Sequence, residues 1–154
     1  MKNIMIVCTG NICRSAMAEK YFNHKIRKEN LDNMYKAVSS GTSAINGQSS
    51  TDSAIDVMKN YGVDLSNHTA IHIKDSDTKG ADYIFTMTRA HKDIIISVYP
   101  ELNNKMHILK EYLGISEYVD VDDPWGWDYS VYENCAKEIV DCVDKLIAKL
   151  ASSR

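Results

Sequence analysis

A cysteine and an arginine six positions apart follow a short apolar run near the start of the chain. In the segment V-C-T-G-N-I-C-R-S, residues 7–15, Cys8 supplies a thiol and Arg14 a planar guanidinium that can hold two oxygens at once. By composition alone, a Cys followed by Arg at the sixth position and Ser or Thr at the seventh is expected roughly 0.01 times per chain. A thiolate beside an arginine is a nucleophile suited to attack on a bound phosphate ester.

The loop between these two residues has the residue types of an anion cradle. If Cys8 ends a strand and a helix begins near Ser15, the intervening backbone amides point inward with a helix N-terminus behind them. Gly10 and Asn11 tolerate the left-handed backbone that so tight a loop needs. The same positive surroundings would favour the thiolate form of Cys8. The residues expected to bind phosphate here are Thr9, Gly10, Asn11, Ile12, Cys13 and Arg14.

Displacement of a phosphate ester also needs a proton donor, because the departing oxygen is otherwise a poor leaving group. Asp123, followed by Pro124 in a loop late in the chain, is the best candidate, and Asp122 is the alternative. Neighbouring carboxylates and partial burial would keep the Asp123 carboxyl group protonated. A simple Asp-Pro turn is the plain alternative for this segment.

Composition and charge limit the classes of protein to which the chain can belong. Its 154 residues, 44% hydrophobic and 25% charged, are typical of a globular protein, and we expect one domain over residues 1–154. The net charge of −3 argues against extended nucleic-acid binding. The N-terminal apolar run is too short for a signal peptide or a membrane span, so we expect a cytoplasmic protein with no membrane partner.

The cysteines and histidines lack the spacing of a metal site or a disulfide framework. The four cysteines are Cys8, Cys13, Cys135 and Cys142. The first two have no nearby Cys or His pair to complete a zinc site, and the last two lie on the apolar stripe of a predicted helix, where we expect core positions. His68 and His72 lack the third ligand of a metalloprotease motif. We therefore expect no metal.

Apolar runs alternate with helical periodicity along the chain, which predicts an α/β fold. The predicted strands are 4–8, Tyr35–Ser39, Asp82–Met87 and Met106–Leu109, and the predicted helices are Ser15–Lys28, Asp52–Tyr61, Arg89–Tyr99 and Val131–Leu150. This alternation favours a three-layer fold, with a four-stranded parallel sheet, helices on both faces and the phosphate-binding loop after strand 1. Ligands of such sheets collect beyond the carboxyl ends of the strands, so loops 8–15, 40–45, 88–89 and 122–124 should meet there.

These motifs and their order resemble the low-molecular-weight protein tyrosine phosphatases. The resemblance rests on Cys8-x5-Arg14-Ser15 near the N-terminus and on Asp123-Pro124 near the C-terminus, and it extends along essentially the whole chain. It implies that Cys8 is the nucleophile that forms a phosphocysteine, that Arg14 clamps the phosphate and that Asp123 is the general acid. Ser15 would hydrogen-bond the thiolate and assist its departure.

The same resemblance implies supporting residues, partners and redox behaviour. Asn11 would brace the loop through Ser40 and His68, and Cys13 would be able to trap Cys8 in a reversible disulfide. The implied substrate is a phosphorylated protein or peptide, and the implied product is inorganic phosphate. The family needs no metal or cofactor.

Several positions differ from the eukaryotic pattern of this family. Ala16 replaces the usual proline, and Trp125-Gly126-Trp127 stands where many relatives carry two tyrosines, so Trp125 would form one wall of the cleft. These features and Thr9 resemble bacterial members, among which are protein-arginine phosphatases. Ile12 favours phosphotyrosine, because the arginine phosphatases that resemble this chain carry a threonine at this position.

Two other functions are less favoured. An arsenate reductase of the thioredoxin-coupled type needs two further cysteines after strand 3, and residues 82–114 contain none. A phosphate-binding module without turnover would not need the nucleophile and the acid that are both present here.

Overall fold

Four strands and five helices alternate along the chain in a computed structural model that describes residues 1–115 and 117–153. The strands are β1 (Lys2–Cys8), β2 (Tyr35–Gly41), β3 (Tyr83–Thr86) and β4 (Met106–Ile108). The helices are α1 (Arg14–Lys28), α2 (Asp52–Lys59), α3 (Arg89–Val98), α4 (Leu109–Tyr112) and α5 (Tyr129–Ser152). Two short 3-10 turns lie at Ile73–Asp75 and Pro100–Lys105.

The four strands form one parallel sheet in the order β2-β1-β3-β4, as the sequence predicts. β1 lies inside the sheet, and its register brings Cys8 beside Gly41 of β2 and Val7 beside Thr86 of β3. The loops that follow β1, β2 and β3 therefore leave the sheet at the same edge. This register positions residues that are far apart in the sequence around the end of β1.

Side chains of β1 alternate between two apolar layers, which confirms the three-layer arrangement. Ile4 and Ile6 pack in a core shared with α1, α2 and α5, whereas Met5 and Val7 pack on the other face with Ile95 of α3. Each of these five side chains is at most 1% exposed. A strand buried on both faces reads as a continuous apolar run, and this is why β1 is recognisable from the sequence.

Side-chain caps define where most of the longer helices begin. Thr51 caps α2, Thr88 caps α3 and Asp128 caps α5, each by accepting a hydrogen bond from a backbone amide of the first turn. Cys13 precedes α1 and makes no such bond within the described residues. Among the first amides of α1, that of Ser15 instead donates to the sulfur of Cys8 at 3.5 Å.

The predicted elements are present with shifted bounds. The last helix begins at Tyr129 rather than at Val131 because Asp128 caps it, and β2 continues to Gly41 because it pairs with β1 as far as Cys8. α4 and the 3-10 turns were not predicted, since segments of three to six residues are too short to show a period. Cys135 and Cys142 lie in the core, as predicted. In the described part of the chain, no helix is both long enough and apolar enough to cross a membrane.

Candidate active site

The loop from the end of β1 to the start of α1 curls around a left-handed residue. Asn11 has a φ of 57°, as its residue type predicts for a tight loop. Gly10 is not among the described residues with positive φ, so of these two residues Asn11 is the one that adopts the left-handed backbone. The thiol of Cys8 and the guanidinium of Arg14 are only 2% and 4% exposed at the two ends of this loop.

Asn11 is fully buried and holds the loop by four hydrogen bonds. Its Nδ2 donates to the hydroxyl oxygens of Ser15 and Ser39, each at 2.8 Å. Its Oδ1 accepts from the amide of Ile71 at 3.0 Å, and its backbone carbonyl accepts from Nε2 of His68 at 2.7 Å. Because the amide side chain satisfies groups from three segments, it fixes the strained backbone conformation of its own residue.

The side chain that pairs with Asn11 on β2 is Ser39, not Ser40 as expected. Neighbouring residues of a strand face opposite sides of the sheet, and only Ser39 faces the side on which the loop lies. The hydroxyl of Ser40 instead donates to Sδ of Met5, although its backbone carbonyl accepts from Ser15 at 3.4 Å. The predicted contact of His68 with Asn11 is present. Burial lowers the pKa of His68.

The sulfur of Cys8 faces two donors from Ser15. The Sγ atom lies 2.9 Å from Ser15 Oγ and 3.5 Å from the Ser15 amide nitrogen. Ser15 Oγ accepts a hydrogen bond from Asn11, and its single hydrogen can go to the sulfur at 2.9 Å or to the Ser40 carbonyl at 3.4 Å, of which the sulfur is the nearer. Hydrogen bonds of this kind stabilise a thiolate.

The Arg14 guanidinium is held in place on one side and left open on another. Its Nη1 donates to the carbonyl of Val121 at 2.8 Å, and its Nη2 donates to Oγ1 of Thr9 at 3.3 Å and lies 3.5 Å from Oδ2 of Asp123. Its Nε is buried and has no partner among the described residues. A buried N–H without an acceptor is costly, so this edge of the fork is prepared for an anion.

Asp123 lies at the rim of the loop and is more exposed than expected. Its side chain is 47% exposed, although partial burial was predicted, and its Oδ1 accepts from the Trp125 amide at 3.1 Å. It lies on the segment between α4 and α5, where its neighbours Asp122 and Trp125 are exposed as well. Asp122 points elsewhere, because its carboxylate accepts a hydrogen bond from the hydroxyl of Tyr118.

These groups surround a cavity of about 270 Å³. It is lined by Cys8, Thr9, Gly10, Ile12, Cys13, Arg14, Gln48, Asp123 and Trp125. The structure thus brings together the predicted nucleophile, phosphate clamp and acid, while Gln48 is a lining residue that no sequence motif indicated. A larger cavity of about 650 Å³ lies behind the loop, beside Ser39 and His68, but none of these three reactive groups lines it.

His91 is a buried residue beside the loop that the sequence analysis missed. Its Nε2 lies 2.8 Å from Oγ1 of Thr9, and its Nδ1 lies 2.8 Å from Oγ1 of Thr88. Burial, followed by the nearby charge of Arg14, lowers the pKa of His91 to about 4. The imidazole is therefore neutral at ordinary pH. The one available signal was a threonine three positions before a histidine at a predicted helix start.

Cys13 lies on the other side of the cavity in a polar cluster. Its Sγ is 3.5 Å from Oγ1 of Thr51 and 3.4 Å from the hydroxyl of Tyr132. Burial raises the pKa of the Cys13 thiol, so this thiol is mainly protonated. Within residues 1–115 and 117–153, no three His, Cys, Asp or Glu side chains are grouped closely enough to hold a metal ion.

Comparison with known proteins identifies the arrangement. A model of the family described as "Low molecular weight phosphotyrosine protein phosphatase" matches residues 3–154. The chain belongs to this family. The members are hydrolases with a cysteine-based mechanism, which accords with the presence of Cys8 in the lining of the cavity.

Relatives of this phosphatase family member cover nearly the whole chain. The low molecular weight protein-tyrosine-phosphatase PtpB of Staphylococcus epidermidis is 36% identical over 144 residues, which are 93% of this chain and 95% of that protein. A protein-arginine-phosphatase of Bacillus subtilis is 32% identical over 152 residues, 99% of each chain. The crystal structure of the low molecular weight protein tyrosine phosphatase from T. tengcongensis superimposes with a TM-score of 0.90 at 39% identity, covering 97% of this chain and 99% of that one.

Gly41 allows β2 to pass close to the phosphatase loop, and this gives a testable prediction. A Cβ at this position would lie 2.4 Å from the carbonyl oxygen of Thr9 and 3.0 Å from the amide nitrogen of Asn11. We expect Gly41→Ala to lower the free energy of unfolding by about 1–3 kcal/mol and to slow hydrolysis of p-nitrophenyl phosphate, because backbone atoms of the loop must move. Urea unfolding and steady-state kinetics measure both effects.

Gly10→Ala is the matched control for stability. Its added Cβ would meet only Ile12, at an ordinary distance of 3.5 Å, so the free energy of unfolding should change little. A Gly41→Ala protein with unchanged stability and unchanged rate would contradict the close approach.

Proposed function

We propose that this chain hydrolyses phosphotyrosine in proteins or peptides through a phosphocysteine intermediate on Cys8. One observation carries the proposal. The sulfur of Cys8, the buried guanidinium of Arg14 with its unpartnered Nε, and the carboxyl group of Asp123 all border one cavity. A nucleophile, an anion clamp and a proton donor are the three groups that this reaction needs.

In the first step, the Cys8 thiolate attacks the phosphorus atom and forms a P–S bond. The bond between phosphorus and the tyrosyl oxygen breaks, and the Asp123 carboxyl group gives its proton to that oxygen. Arg14 and the backbone amides of the loop stabilise the charge on the phosphoryl oxygens. Asp123 lies 3.5 Å from Nη2 of Arg14, so it can reach the leaving group of a phosphate held by the guanidinium.

In the second step, a water molecule attacks the phosphorus atom and the P–S bond breaks. The Asp123 carboxylate accepts a proton from this water, and inorganic phosphate is released. Ser15 stabilises the departing thiolate, because its hydroxyl lies 2.9 Å from the sulfur. No cofactor takes part in either step of the proposed reaction.

Substrate choice depends on the walls of the cavity. Ile12 is 8% exposed within the loop, and Trp125 is 62% exposed at the rim, so an aromatic ring entering the cavity would meet two apolar side chains. This supports phosphotyrosine. Phosphoarginine is the second candidate, because a Bacillus subtilis relative of 32% identity is a protein-arginine-phosphatase.

Other sequence-based expectations stay predictions. These are a single domain over residues 1–154, a cytoplasmic location, the absence of nucleic-acid and membrane partners, and a reversible disulfide between Cys8 and Cys13.

The raised pKa of the Cys13 thiol makes the rate of forming this disulfide depend on pH. Trapping of an oxidised Cys8 should become faster as pH rises, because the thiolate of Cys13 is the attacking form.

Substitutions at the two ends of the loop test the nucleophile and the clamp. Cys8→Ser should abolish turnover of p-nitrophenyl phosphate but retain binding of inorganic phosphate, since the amides and Arg14 remain. Arg14→Lys should lower kcat/KM by about 100-fold or more, because an ammonium group cannot reproduce the two parallel hydrogen bonds of a guanidinium. Steady-state kinetics and calorimetric titration with phosphate measure these changes. Near-normal activity of Arg14→Lys would refute the clamp.

The acid is tested by varying the leaving group. Asp123→Asn should slow hydrolysis of a phosphotyrosine peptide far more than that of p-nitrophenyl phosphate, because nitrophenolate leaves without a proton. Asp122→Asn is the matched control and should keep the wild-type ratio of the two rates, since Asp122 faces Tyr118. Equal losses for both substrates in Asp123→Asn would exclude general-acid catalysis by this residue.

The phosphotyrosine preference is tested at Ile12. The wild-type enzyme should have a higher kcat/KM for phosphotyrosine peptides than for phosphoarginine peptides. Ile12→Thr should lower the ratio of these two kcat/KM values by about 10- to 200-fold, which narrows or inverts the preference. The reason is that threonine replaces apolar contact area with a hydroxyl group. A wild-type enzyme that prefers phosphoarginine would overturn the substrate assignment and leave the roles of Cys8, Arg14 and Asp123 intact.

A further inference from the structure

His91 and Thr9 connect α3 to the loop through partly buried hydrogen bonds. His91 is 4% exposed, and its two ring nitrogens each lie 2.8 Å from a threonine oxygen, Nδ1 from Thr88 and Nε2 from Thr9. Thr9 Oγ1 in turn accepts from Nη2 of Arg14 at 3.3 Å. A continuous path of hydrogen bonds therefore runs from the start of α3 to the guanidinium.

The hydrogens of this path can be assigned from its donors and acceptors together with the position of the cavity. Thr88 Oγ1 accepts from the backbone amide of His91 at 3.1 Å. If Nδ1 carried the imidazole proton, the hydroxyl hydrogen of Thr88 would have no acceptor among its contacts in the described residues. If Nε2 carries it, Thr88 donates to Nδ1 and His91 donates to Thr9, so the hydroxyl hydrogen left over is that of Thr9, which lines the cavity as Thr88 does not.

In this tautomer, Thr9 receives two hydrogen bonds and keeps its own hydrogen free. Its oxygen accepts from Nε2 of His91 and from Nη2 of Arg14, which uses both lone pairs. The hydroxyl hydrogen must then point away from both donors. Thr9 lines the cavity with Cys8 and Asp123, so an oxygen of a bound anion is the acceptor within its reach.

We propose that His91 is a positioning residue that acts through Thr9: it holds the Thr9 oxygen as an acceptor for Arg14 and turns the Thr9 hydroxyl hydrogen toward the bound phosphoryl group. The proposal rests on the phosphate-binding function assigned to this loop. It adds one side-chain donor to the backbone amides of the cradle. It also gives a role to a histidine that is buried at a helix start, with both ring nitrogens on threonine oxygens and with Arg14, Asp120 and Asp123 as nearby charges.

A double-mutant cycle on phosphate binding tests the proposal without turnover. The dissociation constant of inorganic phosphate is measured by calorimetry for wild type, Thr9→Val, His91→Asn and the double variant. Thr9→Val and His91→Asn should each weaken binding roughly five- to tenfold, the loss expected for one hydrogen bond. The double variant should bind as weakly as Thr9→Val alone, because His91 acts only through Thr9. Additive losses would overturn the proposal.

Two further variants separate positioning from general stability. His91→Gln can place its amide nitrogen near the position of Nε2 and should recover part of the affinity that His91→Asn loses. Ile95→Val removes a methylene from another residue of α3, which packs in the apolar layer with Met5 and Val7 rather than against the loop. It should lower stability by about 0.5–1.5 kcal/mol and leave the dissociation constant unchanged. No recovery in His91→Gln, or weaker binding in Ile95→Val, would indicate a merely structural role.

The ring nitrogens of His91 give a direct spectroscopic test. Nitrogen-15 NMR at neutral pH should show a neutral ring protonated at Nε2, and a ring protonated at Nδ1 would overturn the assignment. Failure of the proposed phosphatase function has a different signature. In that case, wild type would bind phosphate and show the same cycle but would not hydrolyse phosphate esters.

Discussion

The buried guanidinium of Arg14 is the constraint on which the organisation of the site depends. An arginine stays charged at every accessible pH, so burying it to 4% exposure is tolerable only if acceptors surround it. The protein supplies the carbonyl of Val121, the hydroxyl of Thr9 and the carboxylate of Asp123. It leaves Nε unpaired, and an anion in the cavity completes the set.

The carboxylate of Asp123 and a bound phosphate would compete for the guanidinium of Arg14. Without a ligand it lies 3.5 Å from the guanidinium and partly neutralises it, whereas a bound phosphate supplies that negative charge instead. Because Asp123 is on an exposed loop rather than in the core, it can change partners without repacking apolar side chains. The carbonyl of Val121, which comes from the same loop but is buried, keeps the guanidinium aligned during such a change.

The sequence predicts those parts of the structure that depend on local patterns. Continuous apolar runs reveal strands buried on both faces, and the Cys8-to-Arg14 spacing reveals the loop, because both signals lie within a few positions. The face of the sheet to which a strand side chain points is harder to predict from the sequence. Ser39 and Ser40 are chemically identical neighbours, and only the register of β2 against β1 decides which one meets Asn11. His91 was missed because its partner Thr9 is 82 positions away and neither residue has a motif of its own.

The separations along the chain determine when the site can form during folding. Arg14 meets Val121 across 107 positions, Thr9 meets His91 across 82, and Asn11 meets His68 across 57. Contacts between such distant segments require closure of long loops, and they form only when most of the topology is in place. We therefore expect the loop to adopt its folded conformation only after these distant segments have met. A nascent chain that has not yet emerged as far as Val121 carries the complete Cys-to-Arg motif and still lacks a working cradle.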